Sequence, residues 1–196
     1  IIFSIFYVGY FFSMAVGGFL ADKYGGKTVL GLGVLLWSIF TMLTPAFSYN
    51  GFLALLFIRI LIGLGEGITF PSWHSMYARW IPFKERTRAI AITNSGIPAG
   101  TIFAYVISAI IIAFYSWEWV FYSFGALGLI WFFFWQKDIH SYPEQDKNIS
   151  LEELTLIKDE APADSNANKI PLLSLLTNLP FLSIAIATFC NNWALF

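Results

Sequence analysis

The sequence predicts an all-α integral membrane protein, a bundle of transmembrane helices. Of its 196 residues, 58% are hydrophobic and only 12% are charged, and the mean hydropathy is +0.69. A soluble domain of this length needs a larger polar shell. Five apolar runs are each long enough to cross a hydrocarbon core of about 30 Å. Basic residues cluster between alternate runs, as expected of a chain that crosses a membrane repeatedly.

The five predicted spans follow one another through short connections. They cover residues 1–21, 28–47, 52–77, 89–114 and 117–135. Pro71 lies inside the third span, where we expect a kink rather than an end. The fourth span contains a polar segment with a G-x-x-x-G spacing, residues 94–100. The chain begins at Ile1 and ends within an apolar run at Phe196, so we expect it to be part of a longer protein.

The basic residues predict the orientation of these spans. Of the eleven lysines and arginines, all but Arg59 follow the first, third or fifth span. The loops after the second and fourth spans, residues 48–51 and 115–116, contain none. By the positive-inside rule, the basic side is cytoplasmic.

Composition also predicts the domain organisation. Residues 1–136 form an N-terminal transmembrane bundle, 137–170 a polar cytoplasmic linker, and 171–196 the start of a C-terminal bundle. In the linker, Ser150 and Glu153 have capping-box spacing, which predicts a short helix over 151–159. A second short helix is expected over 172–176. The single cysteine, Cys190, excludes an internal disulfide and gives no metal-site spacing, so no metal or other cofactor is predicted.

Two charges stand inside the third apolar run, Arg59 and Glu66. Charged side chains near the membrane centre cost about 2.5–3.5 kcal/mol each on insertion scales, and they mark transport pathways. Seven residues separate the two by about 10.5 Å along a helix, too far for an adjacent-turn ion pair. A guanidinium matches a carboxylate bidentately, so Arg59 is the expected substrate anchor. Glu66 is the expected proton-coupling group. The alternative is that each is locked in a permanent interhelix salt bridge.

Further polar residues are candidates for the same site. In a helix, Arg59, Gly63, Glu66, Phe70 and His74 would form one stripe. The additional candidates are Tyr7, Tyr10, Asn94 and Ser95 for the substrate and His74 for the proton. Each has a plainer interpretation: tyrosine is common in membrane-buried positions, asparagine and serine also join helices by hydrogen bonds, and histidine can serve in packing or gating.

Two stretches resemble a known family. Residues 18–27, Gly-Phe-Leu-Ala-Asp-Lys-Tyr-Gly-Gly-Lys, resemble the loop signature of the major facilitator superfamily, with Gly26 in place of the usual basic residue. The stretch from Arg59 to Arg86 is similar to the anion:cation symporter branch, which includes vesicular glutamate, sialic-acid and phosphate carriers and bacterial sugar-acid carriers. Tyr7-x-Gly9-Tyr10 and the segment 189–193 fit the same branch.

This resemblance implies a carrier with two six-helix halves, of which the chain supplies helices two to six and the start of helix seven. The implied residues of the loop signature and cytoplasmic gate are Gly18, Asp22, Lys23, Gly25, Lys27, Glu85 and Arg86. Arg59 and Glu66 fall on the substrate and proton-coupling positions of the branch. Asn191 is also expected near the substrate, where some anion carriers have arginine. Met14 and Val16 depart from the usual Gln and Pro of the branch.

Together these features predict a proton-coupled symporter for a small organic anion, such as a sugar acid or another carboxylate, working by alternating access. Its expected partners are the anion, the coupling proton and the lipid bilayer of a cell membrane, inner or plasma, and no nucleic acid. The oligomeric state is not determined. An exchanger of phosphate or sugar phosphate is the alternative within transport. A membrane-embedded enzyme or sensor is disfavoured, since the chain has only two histidines, no nucleophile with its base and no room for a soluble sensor domain.

Overall fold

The computed structural model describes residues 2–160, 177–180, 182–183 and 186–187. The chain divides into a unit of residues 1–161 and a second unit of residues 162–196. The helices of the first unit are α1 (Ile2–Tyr24), α2 (Gly26–Tyr49), α3 (Phe52–Gly67), α4 (Thr69–Trp80), α5 (Arg86–Phe114), α6 (Glu118–Asp138) and α7 (Leu151–Glu160). The predicted helix over 172–176, and the residues Cys190 and Asn191, lie outside the described residues.

Helices dominate the described part of the chain, and no strand occurs there. Five segments are long and apolar enough to cross a membrane: α1, α2, the pair α3 and α4, α5 with the 3-10 turn before it, and α6. They contain 21 to 32 residues each. The predicted all-α membrane fold is confirmed. We call the end that carries residues 22–27, 79–88 and 137–147 the basic end.

The third span is interrupted. α3 ends at Gly67 and α4 begins at Thr69, with Ile68 between them. Pro71 has no N–H to donate to the carbonyl of Gly67, four residues earlier, so the helical ladder is disturbed in the turn before the proline. The sequence predicted a kink at Pro71 and an end near residue 77. The interruption lies three residues before Pro71, and α4 continues to Trp80.

α1 and α3 pack backbone against backbone. A Cβ atom on Gly63 would overlap the carbonyl oxygen of Phe6, and one on Gly9 would overlap the carbonyl oxygen of Ile60. The hydroxyl of Ser13 adds a polar contact, 3.3 Å from the carbonyl oxygen of Gly63. Small residues permit this close approach in membranes, where van der Waals packing and interhelix hydrogen bonds drive helix association. Gly63 and Gly67 of α3 therefore fix its position against α1, whereas Gly65 approaches the backbone of α2.

α2 lies between α3 and α6 and packs against both. The buried apolar side chains of these helices include Leu30 and Val34 of α2 and Ile58 and Ile62 of α3. α5 differs from the other spans, because none of its residues is buried and it packs mainly against α6 and the turn before it. The predicted polar segment of α5, residues 94–100, is thus uncovered within the described part of the chain.

At the basic end, hydrogen bonds join α2 to α6. Gly25 turns the chain between α1 and α2 with φ +88°, a conformation that favours glycine. Lys27 Nζ donates to the carbonyl of Gln136 at 3.0 Å, and Trp135 Nε1 donates to the carbonyl of Lys27 at 3.0 Å. These bonds join the start of α2 to the end of α6.

The predicted capping box starts α7. The backbone N–H of Glu153 donates to the hydroxyl of Ser150 at 3.1 Å, as the sequence predicted. Ile157 is 6% exposed and borders, together with the connection between α4 and α5, a cavity of about 370 Å³. Lys158 pairs with Glu144 at 3.3 Å, and a backbone N–H together with this lysine holds the pKa of Glu144 below its usual range. α7 is therefore joined by this ion pair to the segment that follows α6.

Candidate functional site

The two charges of the third span lie on one side of α3. Glu66 stands at the middle of the 29-residue segment Phe52–Trp80, and Arg59 lies two turns nearer the end opposite the basic end. No ion pair joins either side chain to another described residue. The alternative of a permanent interhelix salt bridge therefore finds no partner among the described helices.

Arg59 is half-buried beside α1. Its guanidinium carbon lies 5.7 Å from the centroid of the Phe3 ring, a cation–π arrangement. Its Nε is buried and has no hydrogen-bond partner among the described residues. A guanidinium has five N–H donors in a fixed fork, and here the ring holds the group without consuming them. Arg59 thus retains the capacity to bind an anion bidentately.

Glu66 borders an open cavity of about 200 Å³ between α2, α3 and α6. The other lining residues are Trp37, Ser38, Thr41, Ile62, Phe124 and Gly125. Ser38 is 1% exposed, and its hydroxyl oxygen has no hydrogen-bond partner among the described residues. Among the described residues of this lining Glu66 alone is charged, so a carboxyl group and two hydroxyl groups share the space with apolar and aromatic side chains.

The sequence reasoning missed this cavity. Its signal is the spacing of Trp37, Ser38 and Thr41, which places three polar groups on one face of α2 inside an apolar span.

The two predicted tyrosines lie on α1 beside these charges. Tyr10 is half-buried and close enough to Glu66 to interact with it electrostatically. Tyr7 is 50% exposed, and its ring centroid lies 6.4 Å from that of Tyr10. Tyr10 thus lies within electrostatic range of Glu66, and Tyr7 lies one turn from Tyr10.

The remaining predicted site residues lie elsewhere. Asn94 and Ser95 are exposed on α5, where the Ser95 hydroxyl donates to the carbonyl of Ile92 at 2.6 Å. His74 is exposed on α4, beyond the break, with Nδ1 2.8 Å from the carbonyl oxygen of Phe70. No hydrogen bond, ion pair or ring contact within the described chain joins these three to Arg59 or Glu66. Their roles, and that of Asn191, stay predictions.

The predicted gate residues gather at the basic end. Asp22 lies 3.9 Å from Arg79 and 3.5 Å from the hydroxyl of Ser75, so α1 is joined to α4. Sequence reasoning counted Arg79 only as a loop charge and missed this pairing. Arg86 donates to the carbonyl oxygens of Ala78 and Ile81 at 2.8 and 3.1 Å, which caps α4.

The other members of the predicted gate make separate contacts. Lys23 lies over the ring of Tyr24 at 5.1 Å, Glu85 is exposed, and Gly18 would place a Cβ 3.9 Å from Pro71.

The family model of the Major Facilitator Superfamily matches residues 1–196. The chain belongs to the major facilitator superfamily. Among its relatives in this superfamily, it is 39% identical over 193 residues to the chloroplastic ascorbate transporter of Arabidopsis thaliana, covering 98% of the chain and 36% of the relative. It is 37% identical to the chloroplastic sodium-dependent phosphate transport protein 1 of the same plant, over 98% and 38%. Human sialin is 35% identical, over 97% and 39%.

Membership of the superfamily confirms the predicted family and the resemblance to its anion-transporting branch. The relatives are transporters, in agreement with the prediction that the chain is not an enzyme. The superfamily consists of multi-pass membrane proteins, as the five candidate spans require. The chain spans less than two fifths of the length of these relatives.

Proposed function

We propose that this chain belongs to a secondary active transporter that moves a small organic anion together with a proton. The observation that carries the proposal is the pair Arg59 and Glu66, two charges near mid-membrane without a described ionic partner. Such charges are costly unless a ligand, a proton or water compensates them. An anion on Arg59 and a proton on Glu66 would neutralise both.

The mechanism follows from this compensation. Arg59 binds the anion through its free N–H groups while Phe3 supports the guanidinium. Glu66, at the middle of the span that α3 and α4 form together, takes up the proton. With the anion and the proton bound, Arg59 and Glu66 carry no uncompensated charge. Exposing the loaded site to apolar surroundings then costs less free energy than exposing the empty site. Alternating access around a midplane site then couples the two movements.

The substrate class that we favour is a sugar acid or another carboxylate. A relative named as an ascorbate transporter supports this choice. A phosphate or sugar-phosphate exchanger is the second candidate, because another relative is named as a phosphate transport protein and a guanidinium also binds phosphate bidentately. We place the protein in a cell membrane with its linker on the cytoplasmic side. Since several relatives are chloroplastic, imaging of the tagged protein is the direct test of location.

Uptake by the full-length protein in proteoliposomes tests the function. Sugar acids, other carboxylates, phosphate and dipeptides are offered with and without an imposed pH gradient. We expect a carboxylate to accumulate only when the compartment of origin is more acidic. Accumulation that ignores the pH gradient contradicts proton symport, and phosphate exchange without net uptake selects the second candidate.

Replacement of Arg59 by lysine is expected to weaken the apparent affinity for the anion roughly tenfold or more. A lysine keeps the charge but loses the two-pronged geometry, and hydrogen bonds to charged groups are worth about 1.5–3 kcal/mol. Initial uptake rates over a range of anion concentrations measure the effect. Arg88→Lys, at an exposed position near the start of α5, is the matched control. Unchanged affinity in Arg59→Lys contradicts the anchor role.

A further inference from the structure

Binding of the anion by Arg59 leaves the cavity beside Glu66 without an assigned role. It lies between α2, α3 and α6, and Arg59, whose guanidinium carbon lies 5.7 Å from the ring centroid of Phe3 on α1, is not among its lining residues. We propose that this cavity is a hydrated chamber that delivers the coupling proton to Glu66, with Ser38 as a positioning residue for the carboxyl group. The inference rests on the proposed function, because it presupposes that Glu66 exchanges a proton.

The cavity is large and polar enough to hold water. Its volume of about 200 Å³ exceeds several times the roughly 30 Å³ that one water occupies in the liquid. Cavities lined only by apolar groups stay dry, whereas polar partners retain water. Here the partners are the hydroxyls of Ser38 and Thr41 and the carboxyl group of Glu66.

Ser38 is the member of this set that most requires water. Its side chain is 1% exposed and its oxygen has no described protein partner, although buried hydroxyls are normally hydrogen-bonded. Its hydroxyl is also confined by α6, since a Cβ on Gly128 would overlap it. No hydrogen bond links Ser38 directly to Glu66 among the described residues. Because the Ser38 oxygen has almost no accessible surface in the structure, a water bridges it to the carboxyl group only when the chamber widens beside Ser38, and such a water would satisfy both groups and orient the carboxyl group.

Among the described residues that line the cavity, Glu66 alone is ionisable, so it is the proton acceptor of the chamber. Tyr10 of α1 lies within electrostatic range of Glu66, and on α3 the neighbouring charge is Arg59. α2 and α6 present the uncharged lining of the cavity, and their ionisable groups lie near the helix ends. α4 carries His74, Tyr77 and Arg79 beyond the break, outside the cavity lining.

The test compares Ser38→Ala with wild-type full-length protein in proteoliposomes. A water held by Ser38 donates to the carboxylate and favours its ionised form, so its loss should raise the pH midpoint of gradient-driven uptake. We expect a shift of about one pH unit, a tenfold change in proton affinity. Infrared difference spectra provide a second readout. The C=O band of protonated Glu66, assigned by its loss in Glu66→Gln, should move to higher wavenumber when its hydrogen bond weakens.

Thr44→Val is the matched control on the same helix. Thr44 is 2% exposed, but its hydroxyl is already satisfied by the carbonyl of Phe40 at 3.0 Å and does not line the cavity. This variant should keep the wild-type midpoint and band. If Ser38→Ala folds poorly, Thr41→Val removes the other hydroxyl at nearly constant volume and should shift the midpoint in the same direction.

The outcomes separate this inference from the proposed function. Suppose that Ser38→Ala and Thr41→Val keep the wild-type pH midpoint and infrared band, while Glu66→Gln loses coupling. This result contradicts the proposed chamber but agrees with the proposed proton symport. Coupling retained in Glu66→Gln overturns the proposed proton site itself. Equal shifts in Thr44→Val and Ser38→Ala would show a general packing effect and also overturn the chamber.

Discussion

Glu66→Gln is expected to abolish anion accumulation driven by a pH gradient while preserving part of the exchange of anion across the membrane. Glutamine keeps the size and hydrogen-bonding capacity of a protonated glutamate but cannot release a proton. One pH unit is worth about 1.4 kcal/mol per proton, so a one-proton symporter can concentrate its substrate about tenfold. In the variant the internal and external concentrations should become equal. Proteoliposomes loaded at fixed internal pH, with labelled anion outside, measure both quantities.

Glu153→Gln is the control for this variant, since the side chain is exposed on α7. It should accumulate anion like the wild type. Undiminished gradient-driven accumulation in Glu66→Gln would refute the assignment of the coupling group. Loss of both accumulation and exchange would indicate instead that Glu66 is required for anion passage.

Gly63→Ala is expected to reduce the yield of folded protein severely. The added Cβ would overlap the backbone carbonyl of Phe6, and a backbone cannot move aside as a flexible side chain can. Overpacking commonly costs about 1–3 kcal/mol, and a backbone clash between two helices belongs at the upper end or beyond. Alanine is otherwise the better helix former by about 1 kcal/mol, so propensity alone would predict stabilisation. Size-exclusion profiles and thermal unfolding in detergent measure the difference.

Gly18→Ala is the matched control, being the same substitution in the partner helix α1. Its Cβ would meet Pro71 at 3.9 Å, an ordinary contact. This variant should elute and unfold like the wild type or slightly better. Equal stability of Gly63→Ala and Gly18→Ala would mean that α1 and α3 do not pack through their backbones.

Hydropathy and loop charge predicted most of this fold, since the length of a span and the placement of lysine and arginine are properties of the sequence itself. The interruption of the third span was placed less well. The sequence shows Pro71, but the proline acts on the carbonyl four residues earlier, so the break is at Ile68. Glycines in an apolar run permit close packing, but only the three-dimensional arrangement shows that Gly63 and Gly67 meet α1 and that Gly65 meets α2.

The candidate site was partly visible in the sequence. Arg59 and Glu66 stand out because charge is rare in an apolar run. Ser38 does not stand out, because hydroxyl groups are common in membrane helices and the cavity exists only where α2 and α6 meet α3. The pairing of Asp22 with Arg79 likewise depends on how the ends of α1 and α4 meet.

The contact between the backbones of α1 and α3 has a mechanical consequence. With no side chains between them at Gly9 and Gly63, the two helices cannot slide or rotate past one another by changing rotamers. The two helices form one rigid unit, which holds Tyr10, Arg59 and Glu66 at fixed positions relative to one another. Any rocking motion must carry these three groups as one body. We expect this unit to bend at Ile68, where the helix is interrupted between α3 and α4.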